Sequence, residues 1–358
     1  MRQPPHADGF ACIAALAGRR RAGAAPQDKR PRPNRPGSQG GAALLTAMLT
    51  VALVATLAAG ALWQQWRSVE VETAERARVQ SLWVLTGALD WARLILREDA
   101  RSGGADHLAE PWAVPLEEAR LSTFLAADKA NTASDDDSAS QAFLSGAISD
   151  LQARLNVTNL VENDKISEPT RKAFAKLFET LDLPPGELTA LAENLRLALK
   201  GSADTPTNAT ANAAAPLLPQ RLDQLAWLGL SPRSLAVLRP YITLLPVRTP
   251  VNLNTASASV LYASVPALDM AGAQRLVSAR QSAHFRSLAD AVALLGQGVG
   301  PLNESRHSVS TRFFEIQGRL RLDQSVVEER SVVQRDGLSV KTLWRERGTQ
   351  GRQNSPLQ

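Results

Sequence analysis

AALLTAMLTVALVATLAAGALW, residues 42–63, is an apolar run without a charged residue, and its reading decides the architecture. At about 1.5 Å of rise per residue it covers roughly 33 Å as a helix, enough to cross the hydrocarbon core of a bilayer. Arg30, Arg32 and Arg35 precede it, with Arg19, Arg20 and Arg21 further back. The positive-inside bias puts the N-terminus in the cytoplasm and everything after Trp63 on the far side. Trp63 and Trp66 fall where an interfacial aromatic belt belongs.

The run does not end in a turn. From Gln64 to about Asp99 there is no proline, and Leu82, Leu85, Leu89, Ala92 and Leu96 recur at steps of three and four. That spacing is one face of an amphipathic helix. The expectation is a single helix from Ala42 to about Arg101, some 90 Å long, half in lipid and half packed on a soluble domain.

The charge distribution supports this topology. The chain's 358 residues allow two or three domains, and its pI of 9.7 suggests nucleic acid at first sight. Residues 1–41, however, carry +6 of a total of +5, which leaves the rest near −1. A basic stub before an apolar run reads as membrane topology rather than as a nucleic-acid footprint. Cys12 is the only cysteine, so the remainder of the chain has no disulfide framework and no cysteine zinc site.

Gly40-Gly41 stands directly before Ala42-Ala43-Leu44-Leu45-Thr46. A secretory signal has a shorter apolar core followed by small residues. Here the core is longer and continues into helical sequence. Type IV prepilin-like signals are cut before the apolar segment, after a glycine, and keep the helix. Residues 1–41 are therefore expected to be a leader removed between Gly41 and Ala42. An uncleaved anchor and a conventional signal peptide are the competing readings. A start codon downstream of Met1 would account for the leader's length.

Beyond the helix, Pro111 and Pro115 break regular structure, and SDDDSAS at 134–140 is a polar loop. Within that loop Asp135, Asp136 and Asp137 are calcium candidates, because hard cations prefer clustered carboxylates. Ile148–Val161 alternates apolar and polar residues and predicts a half-buried strand. From about Asn163 to Leu295 the pattern is helical, with helices over Pro169–Leu181 and Pro185–Leu199. Shorter ones follow near Pro219–Leu228, Ser231–Leu238, Ser257–Ser264 and Met270–His284, and residues 201–216 form a low-complexity linker. The period then switches to two in Phe314–Leu322, Val326–Gln334 and Ser339–Arg345, with Asp336-Gly337 as a hairpin signal.

The order of these pieces resembles the K-type minor pseudopilins of type II secretion systems, over residues 41–348. The segments that carry the likeness are GAALLT at 41–46, WARLILRED at 91–99, DHLAEPWA at 106–113, SDLQARLNVTNLV at 149–161, VNLNTAS at 251–257 and LWRERG at 343–348. The resemblance implies an α+β, pilin-like fold: a long N-terminal transmembrane helix, an antiparallel sheet, and an inserted all-α domain of two SAM-like modules. The corresponding division is a leader at 1–41, a transmembrane half-helix at 42–63 and the start of the pilin-like domain at 64–161. The insertion follows at 162–300, the C-terminal strands at 301–348 and a disordered tail at 349–358. It also implies a single-pass inner-membrane protein with a periplasmic C-terminal domain, processed by prepilin peptidase. The implied partners are the I- and J-type minor pseudopilins, in a tip complex that initiates and caps the pseudopilus. Pilins usually carry a glutamate at mature position five; cleavage after Gly41 puts Thr46 there, as the resemblance implies for a tip subunit.

VNLNTASASVLYASVPALDMAGAQRLVSAR, residues 251–280, also resembles a helix-hairpin-helix, which opens an alternative: a membrane-anchored protein of DNA uptake. Its turn, Val265-Pro266-Ala267-Leu268, has alanine where a phosphate-binding glycine is expected, and Arg275 and Arg280 read as a solvated face. Nucleic acid is therefore not an expected partner. His6, His107, His284 and His307 lack metal-ligand spacing and read as surface or loop residues. No phosphate loop, GxSxG motif or paired carboxylates stand out, so neither an enzyme nor a cofactor is expected.

Overall fold

The computed structural model describes residues 40–122, 142–203, 216–296, 302–322 and 325–349. One helix, α1, runs from Gly40 to Ser102. The chain divides into two compact units between Glu70 and Val71, so α1 contributes to both.

In the first unit every described side chain is exposed, and the helix is long and apolar enough to cross a membrane. Its hydroxyls are satisfied internally: Thr50 Oγ1 donates to the Ala47 carbonyl and Thr56 Oγ1 to that of Leu53, both at 2.8 Å. A membrane helix needs this, since lipid offers polar groups no partner.

In the second unit α1 buries the stripe Ser81, Leu85, Leu89, Ala92 and Leu96. Leu82, expected on that face, is only half-buried, because its place in the helical repeat is taken by Ser81. The stripe lies on an antiparallel sheet of five strands. These are β1 (Leu116–Arg120), β2 (Ala142–Asp150), β3 (Phe313–Leu322), β4 (Ser325–Asp336) and β5 (Ser339–Thr349), adjacent in that order. Two glycines paired across β2 and β3 make close approaches, Gly318 to the helix and Gly146 to the backbone of β3. A Cβ at Gly318 would stand 3.2 Å from Leu85 Cδ2, and one at Gly146 would stand 2.8 Å from the Gln317 carbonyl oxygen.

The connection from β2 to β3 carries the helical insertion. It holds α2 (Glu168–Thr180), α3 (Pro185–Ala203), α4 (Pro232–Leu238), α5 (Ala258–Ser264), α6 (Met270–Ser282) and α7 (Leu288–Leu295). Helices from both halves share one core, in which Phe174, Leu177, Leu191, Leu225, Val260, Leu261 and Leu276 are all buried. Leu222–Leu228 is a 3-10 helix rather than an α-helix; Leu225 and Leu228, three apart, are the residues it buries. Part of the sheet's second face packs on the insertion through Leu151, Leu245, Phe313 and Val332.

The strand expected over Ile148–Val161 ends at Asp150 and gives way to two 3-10 turns, Leu151–Ala153 and Val157–Leu160. Alternation misled because its polar members are not solvated: Asp150, Gln152 and Asn156 are 4%, 2% and 2% exposed. Their side chains bond to backbone and compete with strand pairing. Asp150 accepts from the Gln152 N–H at 2.7 Å and Asn156 from the Thr158 N–H at 3.1 Å. Strand β1 was not anticipated; Leu116–Arg120 has a half-buried, half-exposed pattern too short to register as a period. The polar loop at 134–140, most of the linker and the tail from residue 350 lie outside the described residues.

Candidate functional site

Two features of the unit from Val71 onward stand out: a buried polar knot that joins sheet to insertion, and a set of exposed large apolar side chains on α1.

At the centre of the knot is the Asp150 carboxylate. Its Oδ2 accepts from Thr255 Oγ1 at 2.6 Å and Asn252 Nδ2 at 3.0 Å, and its Oδ1 from Thr311 Oγ1 at 2.7 Å. Burial pushes the Asp150 carboxyl above its usual value, against the pull of those donors. Asn252 Nδ2 also donates to the Asp106 carbonyl at 3.1 Å, and Asn252 Oδ1 accepts from the Asn254 N–H at 3.0 Å. Asn254 in turn closes a double bond to Phe285: its amide donates to the Phe285 carbonyl at 2.9 Å and accepts that residue's N–H at 2.8 Å. Three of the segments singled out in the sequence, DHLAEPWA, SDLQARLNVTNLV and VNLNTAS, thus meet in one network. The signal was polar residues inside otherwise apolar segments.

Beside the knot, Arg335 pairs with Asp99 at 2.5 Å, pairs with Asp106, and donates to the Thr311 carbonyl at 2.9 Å. Burial moves the Asp106 carboxyl up more than Arg335 draws it down. Glu110 joins them to form an acidic trio with ligand oxygens within 4.8 Å of one another. Burial raises Glu110 to about 7, although its Oε2 accepts from the His107 N–H at 2.9 Å and Trp112 Nε1 at 2.7 Å. Arg335 pairs with two of these three carboxylates, Asp99 and Asp106, and so ties the end of α1 to the following loop. Nothing in the sequence links Arg335 to acids more than two hundred positions earlier. Asp135, Asp136 and Asp137 lie outside the described residues.

Of the histidines, His107 and His284 are part-exposed loop residues, as expected, His307 is buried, and His6 lies outside the described residues. His107 and His284 stack with ring centroids 3.8 Å apart, and His307 is 1% exposed. His307 Nε2 is 3.2 Å from the Ser264 carbonyl, and its Nδ1 is without a protein partner. Burial lowers His307 from the ordinary 6.5 to about 4. A depressed histidine stabilises the fold fully above pH 6.5 and loses that contribution as pH falls through 4. Acid should therefore remove about 3 kcal/mol over this window. A urea series at successive pH values should show this slope in the parent and a flatter one in His307→Gln.

The exposed face of α1 carries large apolar side chains among charged ones such as Arg76, Asp90 and Arg101. Val79, Trp83, Trp91 and Leu94 are 49%, 74%, 43% and 46% exposed and lie opposite the buried stripe. Gly41 and Ala42 fall in the first turn of α1, and the Thr46 hydroxyl bonds back to the Ala42 and Ala43 carbonyls at 3.0 and 2.9 Å.

The hairpin between α5 and α6 is not built for phosphate. Ala267 occupies the left-handed region that glycine would hold, at φ 58°. Asp269 caps α6, accepting the Gly272 N–H at 2.6 Å, so a carboxylate already occupies the anion position. On the other side, Lys176 Nζ donates to the Tyr262 carbonyl at 2.7 Å and sits 4.1 Å from that ring's centroid. Arg280 is not solvated either: it donates to the Leu253 carbonyl at 2.6 Å, and burial lowers it to about 10. The DNA-uptake alternative has no support here.

Comparison with known proteins points the same way. Two family models described as type II secretion system protein K match residues 153–247 and 251–310. The type II secretion system protein K of Pseudomonas aeruginosa is 29% identical over 332 residues, covering 88% of this chain and 90% of that protein. A chain of the crystal structure of the GspK-GspI-GspJ complex from enterotoxigenic Escherichia coli has the same fold. Its TM-score is 0.53 at 17% identity, covering 77% of this chain and 98% of that one. Over most of its length, then, the chain is similar to type II secretion system protein K, in sequence and in fold.

Proposed function

We propose that this chain is the tip subunit of a pseudopilus, anchored in the inner membrane by residues 42–63, with its sheet and insertion in the periplasm. Its work is assembly: with I- and J-type minor pseudopilins it starts the fibre and caps it. The observation that carries this reading is α1 itself. One face is spent on the chain's own sheet while Val79, Trp83, Trp91 and Leu94 remain exposed on the opposite face for neighbouring helices. In the membrane portion, alanine and glycine permit close helix–helix approach. The solved GspK-GspI-GspJ complex supports the choice of partners.

Processing between Gly41 and Ala42 by prepilin peptidase belongs to the same reading, and Thr46 then stands at mature position five. A subunit with none above it has no incoming ammonium to neutralise, and an unpaired carboxylate there would be costly in lipid. The hydroxyl of Thr46 is satisfied by its own helix instead.

The test is coexpression with a prepilin peptidase and the I- and J-type proteins, followed by intact-mass measurement and co-purification. The expected result is a peptidase-dependent N-terminus at Ala42 and a ternary complex whose yield falls at least ~10-fold in Trp83→Asp, about the loss of one hot spot. An unprocessed chain that purifies alone would overturn the reading.

A further inference from the structure

Strand β5 lies at the edge of the sheet, so half of its backbone N–H and C=O groups face away from β4. Near its start the Val340 carbonyl is taken by Arg93, whose Nε and Nη2 donate at 3.0 and 2.7 Å. Leu343 is the extra residue of a bulge opposite Val332 and Val333. From Trp344 to Gly348 the strand is regular, and among the described residues it pairs with β4 alone.

The register sorts its side chains. Trp344 and Glu346 point toward the insertion, where Trp344 packs on the Phe313–Val332 cluster and Glu346 pairs with Arg221 at 2.9 Å. On the other face Arg345 and Arg347 share one carboxylate, that of Glu329, at 2.9 and 2.5 Å. Beside the Trp344 face runs a cleft of about 590 Å³, walled mainly by apolar residues (Leu199, Leu218, Leu244 and Trp344) together with Arg221 and Glu346.

We propose that this edge and cleft take an extended segment of another protein, added beside Trp344–Gly348, in which apolar residues alternate with acidic ones. Strand addition satisfies the outward backbone groups. Its side chains alternate between the two faces of the sheet, so one set enters the mainly apolar cleft. The other set lies across from Arg345 and Arg347, two guanidiniums with a single carboxylate between them, which selects acids. A second copy of this chain fits worse. Antiparallel pairing of β5 with itself sets Lys341 opposite Arg347, Arg345 opposite Arg345, or Arg345 opposite Arg347, for registers centred on Trp344, Arg345 or Glu346.

The experiment titrates the full chain in detergent micelles against a fluorescein-labelled peptide of alternating valine and glutamate, with empty micelles as blank. Anisotropy and hydrogen exchange are read together. Saturable, salt-sensitive binding with new amide protection over Trp344–Gly348 is expected. A valine–lysine peptide and an N-methylated valine–glutamate peptide should bind at least ~10-fold more weakly, as should Leu343→Asp, at an exposed position of the cleft wall where melting is expected to change little. The proposal is overturned by any of three results. One is no saturation by about 1 mM peptide, and another is equal binding of either control peptide. The third is self-association of the chain that the valine–glutamate peptide reverses, which would make a second copy the occupant.

Discussion

Asp150→Ala is expected to destabilise the unit from Val71 onward by about 3–4 kcal/mol, among the largest effects of any single substitution in this chain. The carboxylate is 4% exposed and accepts from Thr255, Thr311, Asn252 and the Gln152 N–H. Removing it takes the acceptor from four buried donors, of which Asn252 Nδ2 keeps the Asp106 carbonyl, and each group left unsatisfied costs about 1–3 kcal/mol before relaxation. Asp150→Asn preserves the volume but turns one acceptor into a donor facing donors, so its cost falls between parent and alanine variant. Urea unfolding followed by near-ultraviolet circular dichroism checks this, with an unchanged slope showing that the unfolded state is unaltered. A loss below about 1 kcal/mol would mean that the knot is not the joint between sheet and insertion.

Arg335→Met should cost about 3–5 kcal/mol at neutral pH, since breaking a buried ion pair leaves its partners uncompensated. Arg335 holds Asp99 at the end of α1 and Asp106 in the following loop, and its guanidinium lies 4.9 Å from the Phe314 ring centroid. The pH dependence has a definite sign. Burial already raises the Asp106 carboxyl, and losing Arg335 raises it further. A carboxyl raised in the folded state is favoured when protonated, so its penalty sets in as pH rises through the folded value and is absent in acid. The gap between Arg335→Met and the parent should therefore narrow from pH 7 towards pH 4. A gap that stays constant over that range would show that the deficit comes from lost packing rather than unpaired acids.

Both residues show where sequence reading stops. Asp150 lay in a segment that alternates cleanly, and alternation normally means a solvated face. The insertion covers that face, so the polar members of the pattern became the interior network. Arg335 stood beside a hairpin signal as one basic residue among many. Its role depends on β4 bringing it under the end of α1, a contact between positions far apart in the chain. In the sequence His307 is indistinguishable from a loop histidine; its burial comes from pairing with Val251 and from Ser264 of α5.

By itself the sequence determined the elements whose physics is local. These are an uncharged helix long enough for a bilayer, its continuation as a stripe at steps of three and four, and three C-terminal strands set by a period of two and an Asp-Gly turn. Each rests on neighbours within a few residues, so spacing alone specifies it. The order of those elements, with the quoted segments, also pointed to the family. Only the tertiary structure decided that the insertion springs from Asp150, that its two halves share one core, and that Gly318 lies under Leu85 of α1. It also decided which charges are buried and which strand edge is left open. Those outcomes depend on which surfaces meet, and burial reverses the preference of a carboxylate or an imidazole that spacing can only describe as polar.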